Sequence, residues 1–89
     1  NTGTTTPTDD SFVGTYNLVY AGSTTVLVIN ADGTGTFAGS PITYTVSGNT
    51  LSFVYNYEDY TITKNGSSYS GTFTYDYEDY SYASVTKVA

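Results

Sequence analysis

Two stretches of this chain carry nearly the same side-chain chemistry. Residues 55–62 read YNYEDYTI and residues 75–82 read YDYEDYSY. Each sets a Glu-Asp pair among tyrosines. Two carboxylates facing each other across a cleft can serve as general acid and base, as glycoside hydrolysis requires. Glu58, Asp59, Asp76, Glu78 and Asp79 could instead hold one weak cation site if the two stretches converge, although calcium takes about six to eight oxygens. For catalysis, one carboxyl must be raised in pKa by burial or by a close like charge. Adjacent carboxylates at turn tips would sit in water. The sequence has no His and no Cys, so the usual zinc and copper ligands and the thiol nucleophile are missing. No Ser stands in a nucleophile motif. The chain is expected to be non-enzymatic, with no catalytic residue and no cofactor.

Other motifs weigh in the same direction. NADGTG, from Asn30 to Gly35, looks like a calcium loop, but its glycine comes too early and no Glu closes it; hairpin chemistry explains it better. Thr34/Thr36, Thr43/Thr45, Thr61/Thr63 and Thr72/Thr74 repeat Thr-x-Thr. A flat threonine grid could bind ice or carry O-linked glycans. Thr is also the polar residue that best suits a solvent-facing strand, and sheet twist spoils a flat lattice. Lys87 could cross-link to an Asn such as Asn17, or simply keep an edge soluble. Asn65-Gly66-Ser67 fits a glycosylation sequon, and Asn-Gly is equally a hairpin turn.

The 89 residues carry a net charge of −6, with Lys64 and Lys87 as the only cations. Nucleic-acid binding needs a basic footprint, so nucleic acid is not an expected partner. No apolar run reaches the roughly 20 residues of a membrane-spanning helix. With neither a starting Met nor a signal-peptide pattern, a processed form or an excised domain is expected. Low Lys, no Cys, no Met and abundant Thr, Ser, Tyr and Gly fit a secreted or cell-surface protein. Residues 1–11 contain no large apolar side chain and read as a polar tail or linker that could act as a donor strand. Residues 12–89 read as a single β domain.

Period-two alternation dominates after Ser11. Tyr16, Leu18 and Tyr20 share a face, as do Ile42, Tyr44 and Val46, and Leu51, Phe53, Tyr55 and Tyr57. Tyr60 and Ile62 continue the pattern, as do Tyr69, Phe73, Tyr75 and Tyr77. The opposite faces are mostly Ser, Thr, Asn and Asp, which is the habit of antiparallel sheets with one wet face. Turn residues punctuate the runs at 21–23, 32–33, 39–41, 47–49 and 65–66. Strands are expected at 13–21, 24–31, 34–38, 42–47, 50–57, 60–64, 67–77 and 80–88. This is an all-β, antiparallel up-and-down meander of about eight short strands, a small barrel or a two-layer sandwich.

On this reading Glu58-Asp59 and Glu78-Asp79 fall at turns, flanked by the cross-strand pairs Tyr57/Tyr60 and Tyr77/Tyr80. Thr24–Asn30 is apolar on both sides, with Leu27 and Ile29 opposite Val26 and Val28. A loop, the N-terminal tail or another subunit should cover its second face. Eleven Tyr and four Phe exceed what a narrow barrel can enclose, so some must reach the rim or the surface. Val26, Val28, Tyr57, Tyr60, Tyr77 and Tyr80 are the candidate interface residues.

FVGTYNLVYAG resembles the opening Gly-Thr-Trp-x-Leu strand of small bacterial lipocalin-like domains, with Tyr16 in place of Trp. TVLVINADGTGTF and ITYTVSGNTLSF resemble hairpins of those domains, and ASVTKV resembles their closing strand. The resemblance covers about Phe12 to Val88. It implies a short up-and-down barrel on a secreted or lipid-anchored protein. It carries over no ligand residue, and the absence of Cys leaves no lipid-anchor cysteine here.

Two functions follow as expectations. The first is a non-enzymatic extracellular structural or interaction module, with a self-assembling fibre subunit as one form, binding itself, another surface protein or a glycan. The second is a lipocalin-like carrier of a small apolar or aromatic ligand, with Tyr16, Leu18, Phe53 and Phe73 lining its cavity.

Overall fold

Alternating apolar and hydroxyl side chains build a wall with one dry and one wet face. In a computed structural model, which describes residues 12–89, that wall curls into a closed barrel. The expected tail, residues 1–11, lies outside the described residues. The strands are β1 (Gly14–Tyr20), β2 (Ser23–Ile29), β3 (Thr34–Phe37), β4 (Ser40–Ser47), β5 (Thr50–Tyr55), β6 (Glu58–Asn65), β7 (Ser68–Tyr75), β8 (Glu78–Ser81) and β9 (Ser84–Lys87). All pairings are antiparallel, and β1 to β7 follow in sequence order. Closure comes from β9, which pairs with β1 from Tyr16↔Lys87 to Val19↔Ser84 and meets β7 at Tyr69↔Val85.

The expected last strand, 80–88, is divided. β8 pairs with the far half of β7, from Tyr75↔Glu78 to Thr72↔Ser81. At Tyr82 and Ala83 the chain bends. Tyr82 N–H donates to Gly71 O (2.9 Å), and Ala83 N–H donates to Val19 O (2.6 Å). The pairing of β9 with β7 is displaced by one residue from that of β8, as in a β-bulge. The bend steers β9 across to β1 and leaves β8 outside the ring.

Inward-facing Tyr16, Leu18, Leu27, Ile29, Phe37, Ile42, Tyr44, Leu51, Phe53, Ile62 and Val85 form the core, joined by Phe12. Two glycines make the curvature possible. A Cβ on Gly35 would stand 2.1 Å from the Val28 carbonyl oxygen, so β2 and β3 could not approach. A Cβ on Gly71 would press on Ile62, Tyr82 and Val85. The outer face of β2 is not roofed by a described segment: Val26 is 45% exposed, and Val28 is half-buried beside Thr15 and Thr36.

Turn chemistry is uniform at one end. Ala21-Gly22, Ala38-Gly39, Asn56-Tyr57 and Asp76-Tyr77 all have positive φ at both residues, the signature of two-residue type I′ hairpins. Gly48 and Gly66 take positive φ at the first turn position in the opposite hairpins. Asn65 is therefore the last residue of β6, opposite Ser68, rather than part of the turn. Asp32-Gly33 belongs to a three-residue loop, closed by Asn30 N–H donating to Thr34 O (2.9 Å). Asp32 Oδ1 accepts from the Thr34 amide and hydroxyl, which holds its carboxyl below the usual carboxylate range.

Candidate functional site

The hairpins β5–β6 and β7–β8 run past the barrel wall. β4 stops pairing with β5 at Tyr44↔Phe53, and β6 stops pairing with β7 at Tyr60↔Phe73. Beyond that rung, Asp59 N–H donates to the Thr74 hydroxyl (3.1 Å) in place of a backbone carbonyl. The two hairpins fork there. Between their tips lies an open cleft of about 570 Å³, lined by Tyr57, Glu58, Asp59, Thr74, Asp76 and Tyr77.

The tips differ from the sequence expectation. Glu58-Asp59 and Glu78-Asp79 are strand residues, and the turns are Asn56-Tyr57 and Asp76-Tyr77. Inward matching selects this register. It places Leu51 opposite Ile62 and Phe53 opposite Tyr60, whereas a turn at Glu58-Asp59 would have set Phe53 opposite Lys64. The pairs Tyr57/Tyr60 and Tyr77/Tyr80 therefore do not form. Instead Tyr57 (φ 68°) and Tyr77 (φ 66°) occupy the second turn position, where glycine is usual. Their side chains project fully into solvent. Left-handed backbone at a bulky residue is strained by roughly 1–2 kcal/mol.

Beneath the tips stands a row of rings on the inner face: Phe53, Tyr60, Phe73 and Tyr80, one from each of β5 to β8. Neighbouring centroids are 5.1, 5.7 and 5.4 Å apart, with interplanar angles of 3°, 19° and 14°. The rings are stacked on one another, so their faces are mutually occupied. Phe37 packs against Phe53, Tyr55 and Tyr60 on one flank. On the other, Tyr20 meets Phe73 and Tyr80 edge-on. One rung further out, Tyr55 opposes Glu58 and Tyr75 opposes Glu78. Burial, and then Glu58, push the Tyr60 hydroxyl up in pKa. Tyr80 is also raised, chiefly by Glu78, to which it donates at 3.3 Å.

Three of the five acidic candidates, Glu58, Asp59 and Asp76, border the cleft between the tips, but the five do not form one cluster. Alternation puts Glu58 and Glu78 on the aromatic face, Asp59 and Asp79 on the opposite face, and Asp76 in a turn. Among the described residues, no three carboxylates are grouped to hold a metal ion. Of the interface candidates, Tyr57 and Tyr77 are at the tips, Tyr60 and Tyr80 are in the stacked row, and Val26 and Val28 lie apart on β2. The cavity candidates separate too. Tyr16 and Leu18 have no exposed surface and Phe53 only 4%; Tyr16 donates to the Phe12 carbonyl (2.6 Å) and packs edge-on against Tyr69. Phe73 belongs to the stacked row. Tyr16, Leu18 and Phe53 are part of the packed core, and Phe53 also borders an open pocket of about 470 Å³ with Thr45, Ser52, Tyr60 and Thr61. Asn17 opposes Thr86 while Lys87 opposes Tyr16, so alternation turns Lys87 and Asn17 to opposite faces. Asn65 is exposed. The outer face carries a hydroxyl row, Thr45, Ser52, Thr61, Thr72 and Ser81, directly opposed across five strands.

The fold and site together define a small closed up-and-down barrel bearing a forked, aromatic two-hairpin projection. No family model, curated protein or solved structure matches the chain at a significant level.

Proposed function

We propose that this chain is a non-enzymatic extracellular interaction module, and that the forked hairpins are its contact element. One observation carries the reading: both tips hold a tyrosine in a strained left-handed conformation, with its side chain wholly in solvent. Glycine at those positions would relieve the strain. A residue that strains its turn and touches little of its own fold is explained by what it touches elsewhere. The stacked row below supports the reading by stiffening the projection. A lipocalin-like secreted setting is supported by the hairpin motifs and the up-and-down strand order, while a carrier function finds no support in the packed interior.

The test is the double variant Tyr57→Gly, Tyr77→Gly. A higher Tm is expected, because the tyrosines do not serve the fold. A lower Tm would give them a structural role and remove the basis of the reading. Deleting residues 1–11 and following assembly by light scattering separates a tail-mediated fibre from recognition through the tips.

A further inference from the structure

The outer surface of β4 to β8 forms a trough. Its floor is the backbone of one rung, Tyr44, Phe53, Tyr60, Phe73 and Tyr80, paired from strand to strand. Alternation turns the neighbours of these residues outward. One wall is the hydroxyl row Thr45, Ser52, Thr61, Thr72 and Ser81. The other is Thr43, Val54, Asp59, Thr74 and Asp79. The open pocket of about 470 Å³ is the β4–β6 part of this trough, and it shares Asp59 with the cleft between the tips. Among the described residues, the five hydroxyls of the first wall have no partner in the fold. In the second wall Thr74 alone is engaged, accepting from Asp59 N–H. Val54, 60% exposed, is the one apolar side chain in either wall. Neither lysine is there: Lys64 shares the inward alternation of Ile62, and Lys87 is on β9.

We infer that this trough binds a neutral oligosaccharide. The inference rests on the forked hairpins being the contact element, because their cleft continues the trough. Each free hydroxyl offers one donor and two acceptor sites, and the carboxylates of Asp59 and Asp79 accept. Sugar hydroxyls both donate and accept, so a ligand presenting them in series matches the row. Sugar rings also carry C–H faces that need apolar surface beside the polar groups. Val54 supplies it in the wall, and Tyr57 and Tyr77 supply it at the cleft. Unlike the stacked inner row, neither tip ring touches another ring of the described residues. An anionic ligand would meet no cation and a net charge of −6. A metal ion finds no three grouped carboxylates among the described residues. An extended peptide spends its main-chain groups on a sheet edge, and this is a sheet face. The hydroxyl row crosses five directly opposed strands, roughly 19 Å at ordinary strand separation, which selects a chain of sugars over a single ring.

Titrating the isotope-labelled full chain with cellohexaose, xylohexaose, mannohexaose and N-acetylchitohexaose, and following amide shifts by NMR, tests the inference. At least one should give saturable shifts at Thr45, Ser52, Val54, Asp59 and Thr61. Its Kd should change less than about twofold between 50 and 300 mM salt, since a neutral ligand is not screened. The matching monosaccharide should bind far more weakly. Ser52→Ala with Thr61→Val should weaken binding about tenfold, as the sugar hydroxyls lose their partners. Tm should be retained, because both side chains lie on the outer face. No saturable shift with any of the four, or equal binding by that variant, overturns the inference. A sulfated hexasaccharide binding better than all four also overturns it. Concentration-dependent shifts at the same residues with no sugar added make the face a self-contact and overturn it too. A failed titration beside a stabilising Tyr57→Gly, Tyr77→Gly removes this inference alone. A destabilised tyrosine variant removes the contact-element reading as well.

Discussion

Phe53 and Tyr60 stand face to face across β5 and β6, with centroids 5.1 Å apart and planes 3° from parallel. They are the first rung of a stack that continues through Phe73 to Tyr80. Each ring holds its neighbour upright on the last rung of the barrel wall, just below the fork. A double-mutant cycle with Phe53→Leu and Tyr60→Leu should give a coupling of about 0.5–1.5 kcal/mol. Urea denaturation measures it. Additive effects would mean that the rings contribute burial alone.

The tip tyrosines give the opposite sign. Replacing Tyr57 and Tyr77 by glycine relieves left-handed strain and adds unfolded-state freedom, and these effects oppose each other. Asn-Gly and Asp-Gly are the favoured pairs for this turn, so the net should be stabilising, by roughly 1 kcal/mol for the two. In a domain of this size that raises Tm by about 4–8 °C. Scanning calorimetry reads it directly.

Much of the fold was legible because alternation survives error. Strand class, antiparallel order and most inward positions follow from period two alone. The register of β5–β6 was legible in principle: only a turn at Asn56-Tyr57 sets Leu51 against Ile62 and Phe53 against Tyr60. The tyrosine in the glycine position hid it, because turn preferences gave that site no weight. The division between β8 and β9 was not legible, since a bulge at Tyr82-Ala83 leaves no pattern of its own. The same slip obscured the site. With the turns placed at the Glu-Asp pairs, the carboxylates were read as tips and the tyrosines as cross-strand partners, when the roles are largely exchanged.

Gly35 and Gly71 both face the barrel interior, opposite Ile42 and Ile62, yet alanine should affect them unequally. At Gly35 the new methyl meets a backbone oxygen of Val28 at 2.1 Å, and the strand pair must part. At Gly71 it meets side-chain ends of Ile62, Tyr82 and Val85 at 2.9–3.1 Å, which can shift. Gly35→Ala should cost about 3 kcal/mol or more and Gly71→Ala about 1 kcal/mol. Chemical denaturation of the two variants checks the order, and reversal would mean that β2 and β3 yield more easily than the core.

Buried tyrosines should make the barrel sensitive to alkali. Burial raises the Tyr16 hydroxyl well above its ordinary value of 10.0, with the neighbouring Tyr69 adding to the effect. Burial raises Tyr82 as well, with Tyr60 contributing. Above pH 10 the unfolded chain releases these protons while the native state retains them, so ν_N exceeds ν_U and stability falls as pH rises. The contribution is complete below the unfolded value and is lost above it, with a slope of at most about 1.4 kcal/mol per pH unit for each group. Half-buried Tyr82 should fall short of that limit through solvent screening. Urea midpoints measured from pH 8 to 11.5 should be level at first and then decline. Tyr82→Phe should shallow the decline. Tyr16→Phe should shallow it too, but from a stability lowered by about 1 kcal/mol at pH 8, since the Phe12 carbonyl loses its buried donor. An unchanged alkaline limb in both variants would place the sensitive groups elsewhere in the chain.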